Sequence, residues 1–164
     1  VNSDPEEIFS GKLLHLVKLE SKYECVIHPG AVVVLPVLND GGVVLVRQFR
    51  PAVNDFILEL PAGLLEPGEE PIETGRRELL EETGYRCNKI EIRQKFFTTP
   101  GYSNEELFLC LASGLEFSQP VQEEGLEEVI MDKKEIKEGL QKGIFNDAKT
   151  IIGLQMYLQE FEQC

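Results

Sequence analysis

The sequence predicts a mixed α/β (α+β) fold, a sheet covered by helices. Three observations predict it. Ala31–Leu38 is a nearly continuous β-branched and aliphatic run, the pattern of a strand buried on both faces. Strand-like runs recur through both halves of the chain. Helix signals fall in three places, at 71–84, 132–142 and 147–163. With 164 residues and 42% hydrophobic content, the chain is long enough for one domain with a real core.

Taken in order, residues 1–10 are polar with Pro5 and are expected to be loosely held. Leu13–Leu19 and Tyr23–Ile27 read as short strands joined by a turn at Glu20-Ser21-Lys22, and His28-Pro29-Gly30 breaks the pattern. Ala31–Leu38 then pairs with Val43–Phe49 across Asn39-Asp40-Gly41-Gly42, where glycine after aspartate supplies the positive φ of a hairpin turn. Pro71 sits where a first helical residue lacks an N–H partner in any case, and Gly84 closes that helix in the left-handed conformation. Lys89–Phe97 and Glu106–Leu111 read as strands around a sharp Pro100-Gly101 turn, and 113–125 as a long loop. Glu127–Met131 is a last strand. Asp132 with Glu135 forms a capping box, and Asn146 or Asp147 caps a closing helix whose Ile151, Leu154, Leu158 and Phe161 form a core stripe.

Sixteen basic against 29 acidic residues leave a formal charge of −13, which disfavours a nucleic-acid or anionic-membrane surface. No run reads as a signal segment or reaches transmembrane length. Cys25, Cys87, Cys110 and Cys164 are scattered, so free thiols in a reducing cytoplasm are expected, with Cys110 in the core. The two histidines, His15 and His28, lack companions at zinc-site spacing.

The chemistry concentrates on one helix. Glu78, Glu81 and Glu82 stand at i, i+3 and i+4, so three like charges share a face and repel. Either that face is simply solvated, or a hard divalent cation offsets the repulsion. The flanking spacing decides between them. Gly63, five residues, Glu69, seven residues, Arg77-Glu78-Leu79, one residue, Glu81-Glu82, one residue and Gly84 resemble the Nudix box of the Nudix hydrolases. Tyr85 departs from the family's aliphatic preference at a packing position. The resemblance implies an α/β/α sandwich with the box as a loop-helix-loop beside the sheet. Gly75, which costs a helix roughly 0.5–1 kcal/mol relative to alanine, fits close helix–sheet contact there.

The same resemblance implies Mg²⁺, with Mn²⁺ as a substitute, held by Glu78, Glu81, Glu82 and the Ala62 carbonyl. Arg77 would orient a motif glutamate, and Glu69 would support the loop. Pro100, fifteen residues after Tyr85, resembles the ADP-ribose pyrophosphatase branch. The blocks around His28-Pro29-Gly30, Arg47-Gln48-Phe49-Arg50-Pro51, Glu59-Leu60-Pro61-Ala62-Gly63 and Thr99–Glu105 resemble it too. Arg47, Arg50, Pro100 and Tyr102 are therefore expected at the substrate. Glu124, then Glu123, is expected to act as catalytic base from the loop after the box, although Gly125 stands where the branch has an apolar residue. Residues 1–28 would form a short β arm engaged in a homodimer, and 29–164 the hydrolase domain. The implied reaction is cleavage of ADP-ribose to AMP and ribose 5-phosphate. The alternatives are a GDP- or UDP-hexose substrate, or a non-catalytic nucleotide sensor.

Overall fold

The computed structural model of the protein describes residues 5–121 and 124–161. Its elements follow the order β1 (Glu6–Ser10), β2 (His15–Leu19), β3 (Tyr23–Ile27), β4 (Ala31–Pro36), β5 (Val43–Arg50), β6 (Asp55–Glu59), β7 (Ala62–Leu64), α1 (Pro71–Thr83), β8 (Tyr85–Phe97), β9 (Glu106–Phe117), β10 (Glu127–Met131), α2 (Lys133–Lys142) and α3 (Ala148–Glu160). They build three sheets, ordered β1-β2-β3, β10-β5-β6 and β7-β4-β9-β8. The last is mixed: β4 runs parallel to β9, and the other pairs are antiparallel.

The run beginning at Ala31 explains the layering. Every residue of β4 is buried, and its pleat sends Val33 and Leu35 to one cluster and Val32 and Val34 to another. The first cluster packs Leu60, Leu109, Ile136, Leu154 and Tyr157 beneath α2 and α3. The second packs Leu79, Ile90, Cys110 and Leu115 beneath α1. Helices thus cover both faces of the sheet layer. A β-carbon at Gly75 would lie 2.9 Å from Ile90 Cδ1 and 3.4 Å from Val32 Cγ1, so the missing side chain sets how closely α1 approaches the strands.

The helix ends follow the local chemistry. Pro71 opens α1, and the Gly84 N–H bonds the Leu80 carbonyl at 2.9 Å with φ of 77°. Asp132 and Glu135 complete the capping box of α2. Asp147, not Asn146, caps α3 by accepting from Thr150 N, and Phe161 lies at its C-cap.

Four boundaries differ from the sequence reading. Residues 6–10 form a strand, because pairing with β2 satisfies a polar backbone that the composition alone leaves open. Ala62–Leu64 is a strand against β4 instead of loop. The strand Ala31–Leu38 ends at Pro36, whose ring removes a ladder donor; Val37 keeps a single bridge to Val43. The hairpin of β8 and β9 extends well beyond Lys89 and Leu111, from Tyr85↔Phe117 to Phe97↔Glu106. Its added end is closed by Tyr85 and Phe117, edge to face with ring centres 5.5 Å apart. That pairing also gives Tyr85 a packing partner.

The β1–β3 sheet joins the body through the segment after β8. Val26 N donates to Tyr102 O at 2.8 Å, and His28 N donates to Asn104 Oδ1 at 2.7 Å. No described helix is long and apolar enough to cross a membrane.

Candidate active site

The helix face carrying the three glutamates lies against the backbone of β7. Glu78 and Glu82 are buried at 8% and 5% exposure, while Glu81 is half-exposed. Ala62 N donates to Glu82 Oε2 at 3.0 Å. A β-carbon built at Gly63 would fall within the Glu78 carboxylate, so only glycine lets the strand and this glutamate come so close.

Arg77 offsets much of the crowded charge. Its Nε and Nη2 form a paired hydrogen bond with Glu69, at 3.1 and 3.0 Å, and its Nη1 reaches Glu78 at 2.6 Å and Glu81 at 3.3 Å. Its Nη2 also reaches the Leu64 carbonyl at 3.2 Å, tying helix to strand. The Arg77 hydrogen bonds, helped by the Thr74 hydroxyl, lower the Glu69 pKa to about 2. Hydrogen bonding to Glu69, then to Glu78, raises that of Arg77.

Beside these glutamates opens a cleft of about 510 Å³ lined by Arg50, Ala62, Gly63, Thr98, Glu105 and Lys149, among others. Behind its lining, Glu59 is 2% exposed and takes Arg50 Nε at 2.7 Å and Nη2 at 2.8 Å. Lys149 Nζ bonds the same carboxylate at 2.6 Å and Asp147 Oδ2 at 3.0 Å. Burial pushes the Glu59 carboxyl up, but Arg50 and Lys149 outweigh it and hold its pKa below the ordinary value.

The other sequence-derived residues lie elsewhere. Arg47 is three residues from Arg50 on an extended strand, so the pleat turns it to the opposite face. There it pairs with Glu127 at 3.1 Å and covers the Phe56 ring at 4.3 Å. Pro100 and Tyr102 line a separate groove with Leu19, Cys25, Ile27 and Phe97; their loop contributes Thr98 and Glu105 to the main cleft instead. Glu124 sits in an exposed turn before β10, and Glu123 lies outside the described residues. Glu128, on β10, shares a register row with Val46 and Glu59, and burial raises its pKa.

Sequence reasoning missed Glu59, Asp147 and Lys149 as parts of the cleft. A signal existed for Lys149. A lysine in the first turn of a helix opposes the helix dipole, so it calls for nearby anions to hold it there.

A hard cation fits this donor set. Among the described residues, no three His, Cys, Asp or Glu side chains form a preassembled metal cage. Mg²⁺ does not need one: it keeps several waters and binds through one or two carboxylates plus substrate phosphates. The buried oxygens of Glu78 and Glu82 are donors of that kind.

Gly63→Ala should displace Glu78 and lower kcat/KM about a hundredfold, the scale of a 1 Å misplacement, with the circular dichroism spectrum unchanged. Wild-type activity would refute the packing constraint. Glu69 has a folded pKa of about 2 against an ordinary value of 4.5. Its contribution to stability is therefore present above the ordinary value and is lost as pH falls toward about 2. Glu69→Gln should lower Tm at neutral pH by roughly 2–4 °C and flatten the acid limb of a Tm–pH curve. An unchanged limb would refute the ion-pair role.

Comparison with known proteins agrees with this geometry. The NUDIX domain family matches residues 27–152. The methanol dehydrogenase activator of Bacillus methanolicus is 42% identical, over 94% of this chain and 89% of its own. The ADP-ribose pyrophosphatase of Bacillus subtilis is 40% identical over the same shares, 94% and 89%. A crystal structure of an ADP compounds hydrolase superposes with a TM-score of 0.80 at 24% identity, covering 98% of this chain and 92% of that one, which shows the shared fold. The box spacing, the α/β/α layering and these matches make the chain a member of the Nudix hydrolase family, similar to ADP-ribose pyrophosphatases.

Proposed function

We propose that the chain is a Mg²⁺-dependent pyrophosphohydrolase, with Mn²⁺ as a substitute ion, that cleaves ADP-ribose to AMP and ribose 5-phosphate. The observation that carries this reading is the burial of Glu78 and Glu82 against Ala62-Gly63, at the edge of a cleft that also holds Arg50. The likeness to the pyrophosphatase of Bacillus subtilis supplies the substrate class.

When bound, the metal neutralises phosphate oxygens and makes a water more nucleophilic. Glu78 and Glu82, with Glu81 and the Ala62 carbonyl, would hold it. Arg77 keeps Glu78 in place, and Arg50 orients the diphosphate by charge-assisted hydrogen bonds. Under this reading the proton of the attacking water goes to Glu124, then Glu123, as the anhydride P–O bond breaks. Glu124 stands in an exposed turn outside the cleft lining and would have to approach it.

Residues 1–28 are read as an arm by which two copies associate, with 29–164 as the hydrolase domain. Ile8, Phe9, Leu13, Leu14 and Tyr23 are exposed large side chains on this short segment, which a second copy would cover. Light scattering should then give a dimer mass; a monomer mass would reject this arrangement.

A panel of ADP-ribose and GDP- and UDP-hexoses with Mg²⁺ or Mn²⁺, scored by phosphatase-released phosphate, should show preference for ADP-ribose. Glu82→Gln should reduce turnover at least about a hundredfold. No turnover by the wild type, or full activity of the variant, would reject the reading. The likeness to the methanol dehydrogenase activator favours a second reading, activation of a dehydrogenase. Adding the chain to methanol dehydrogenase should raise its rate under that reading alone.

A further inference from the structure

Glu59 lies behind the cleft lining, its side chain 3% exposed, and two lining cations share it. Arg50 approaches through Nε and Nη2, leaving its Nη1 corner outside that pairing. Lys149 meets Oε2, one of the two oxygens that Arg50 uses, and reaches back to Asp147. Both cations line the same cleft. Two positive and two negative groups therefore cancel.

Asp147, two residues away, is the local partner of Lys149, and it also caps the helix. Lys149 occupies the second helical position of α3, at the positive end of the helix dipole, and its side chain is only 14% exposed. Such a placement costs stability unless anions surround the ammonium, and Glu59 and Asp147 do so. Without Lys149, Glu59 would have Arg50 as its cation, and this cluster would turn net negative, adding to Glu105 in the same lining. A site for a diphosphate tolerates that poorly, because charges inside a cleft are weakly screened.

We propose that Lys149 is a positioning residue for substrate binding: by neutralising Glu59 and Asp147 it leaves Arg50 as an effective cation for an anionic phosphate. This rests on the reading of the cleft as a diphosphate site. The role is electrostatic and acts through Glu59, so it belongs to affinity and not to the chemical step. It also gives α3, otherwise a packing helix, a direct part in recognition.

The test titrates wild type, Lys149→Met, Lys149→Arg and Ala148→Glu with ADP in a calorimeter at fixed Mg²⁺, then measures kcat and KM on the sugar nucleotide the wild type turns over. Lys149→Met should weaken ADP binding and raise KM about tenfold while kcat stays within about threefold. Lys149→Arg should restore most of the affinity, because the charge is kept. Ala148→Glu adds an anion to the same wall at a first helical position that accepts glutamate, so it should fold and also raise KM. A folded Lys149→Met or Ala148→Glu with unchanged ADP affinity and KM would overturn the proposal. So would a Lys149→Met defect confined to kcat, or one that arginine does not relieve. A wild type that binds ADP but hydrolyses no member of the panel would sink the hydrolase reading alone, and the ADP affinities would still decide the role of Lys149.

Discussion

The structure depends on carboxylates of α1 being held, largely out of water, against a strand backbone. Burying an ionised group is costly unless hydrogen bonds and opposite charge accompany it. Here the compensation is built from the neighbouring chain. The Ala62 amide serves Glu82, and Arg77 serves Glu78 while anchored by Glu69. Each partner must arrive at the right depth, and that depth is set by apolar contacts on the same buried side of the helix. Leu79 is fully buried beneath α1, and the absence of a side chain at Gly75 lets the helix sit low on Ile90 and Val32. The apolar contacts therefore fix the depth of the glutamates beside them.

The balance of charge explains why such a site calls for a metal. The chain is strongly acidic, and the cations at the cleft are already engaged. Arg77 faces three glutamates, and Arg50 and Lys149 share Glu59. These pairs are partly buried, so their geometry is firm; the charge of Arg77 is spent within the protein, while Arg50 shares its one carboxylate with Lys149. A diphosphate entering the cleft would meet a wall with no surplus of positive charge beside an acidic helix face. Under the proposed reading a divalent ion would supply the missing positive charge, and the carboxylates would hold it. The glutamate cluster and the paired cations are thus two parts of one electrostatic arrangement.

Much of this was legible in the sequence because its determinants are local. Pro71 and Gly84 bound α1, Asp132 with Glu135 caps α2, and the spacing of Glu78, Glu81 and Glu82 places them on one face whatever the tertiary context. The Ala31 run announces a strand buried on both sides. What the sequence left hidden is pairing between distant segments. The long β8–β9 hairpin depends on residues such as Tyr85 and Phe117 meeting across thirty positions, and β1 exists because β2 lies beside it. Arg47 and Arg50 look alike in sequence and diverge because one strand turns them to opposite faces. Pro100 and Tyr102 fall in a loop that runs along β3, and this carries them to a different groove.

The same distinction accounts for Lys149, ninety positions from Glu59. Read locally, Asp147 is a cap and Lys149 a lysine at the wrong end of a helix. Read in three dimensions, the α3 N-terminus is fastened to the strand that leads into the Nudix loop. Leu60 N donates to Thr150 Oγ1 at 2.8 Å, and that hydroxyl in turn donates to Asp147 at 2.6 Å. Leu60 lies two residues before Ala62, whose amide holds Glu82. A buried hydrogen-bonded chain thus runs from the cap of α3 to the backbone beside the glutamates. Such a network is rigid when every member is satisfied. The cap that starts the last helix therefore also fixes where the catalytic strand lies.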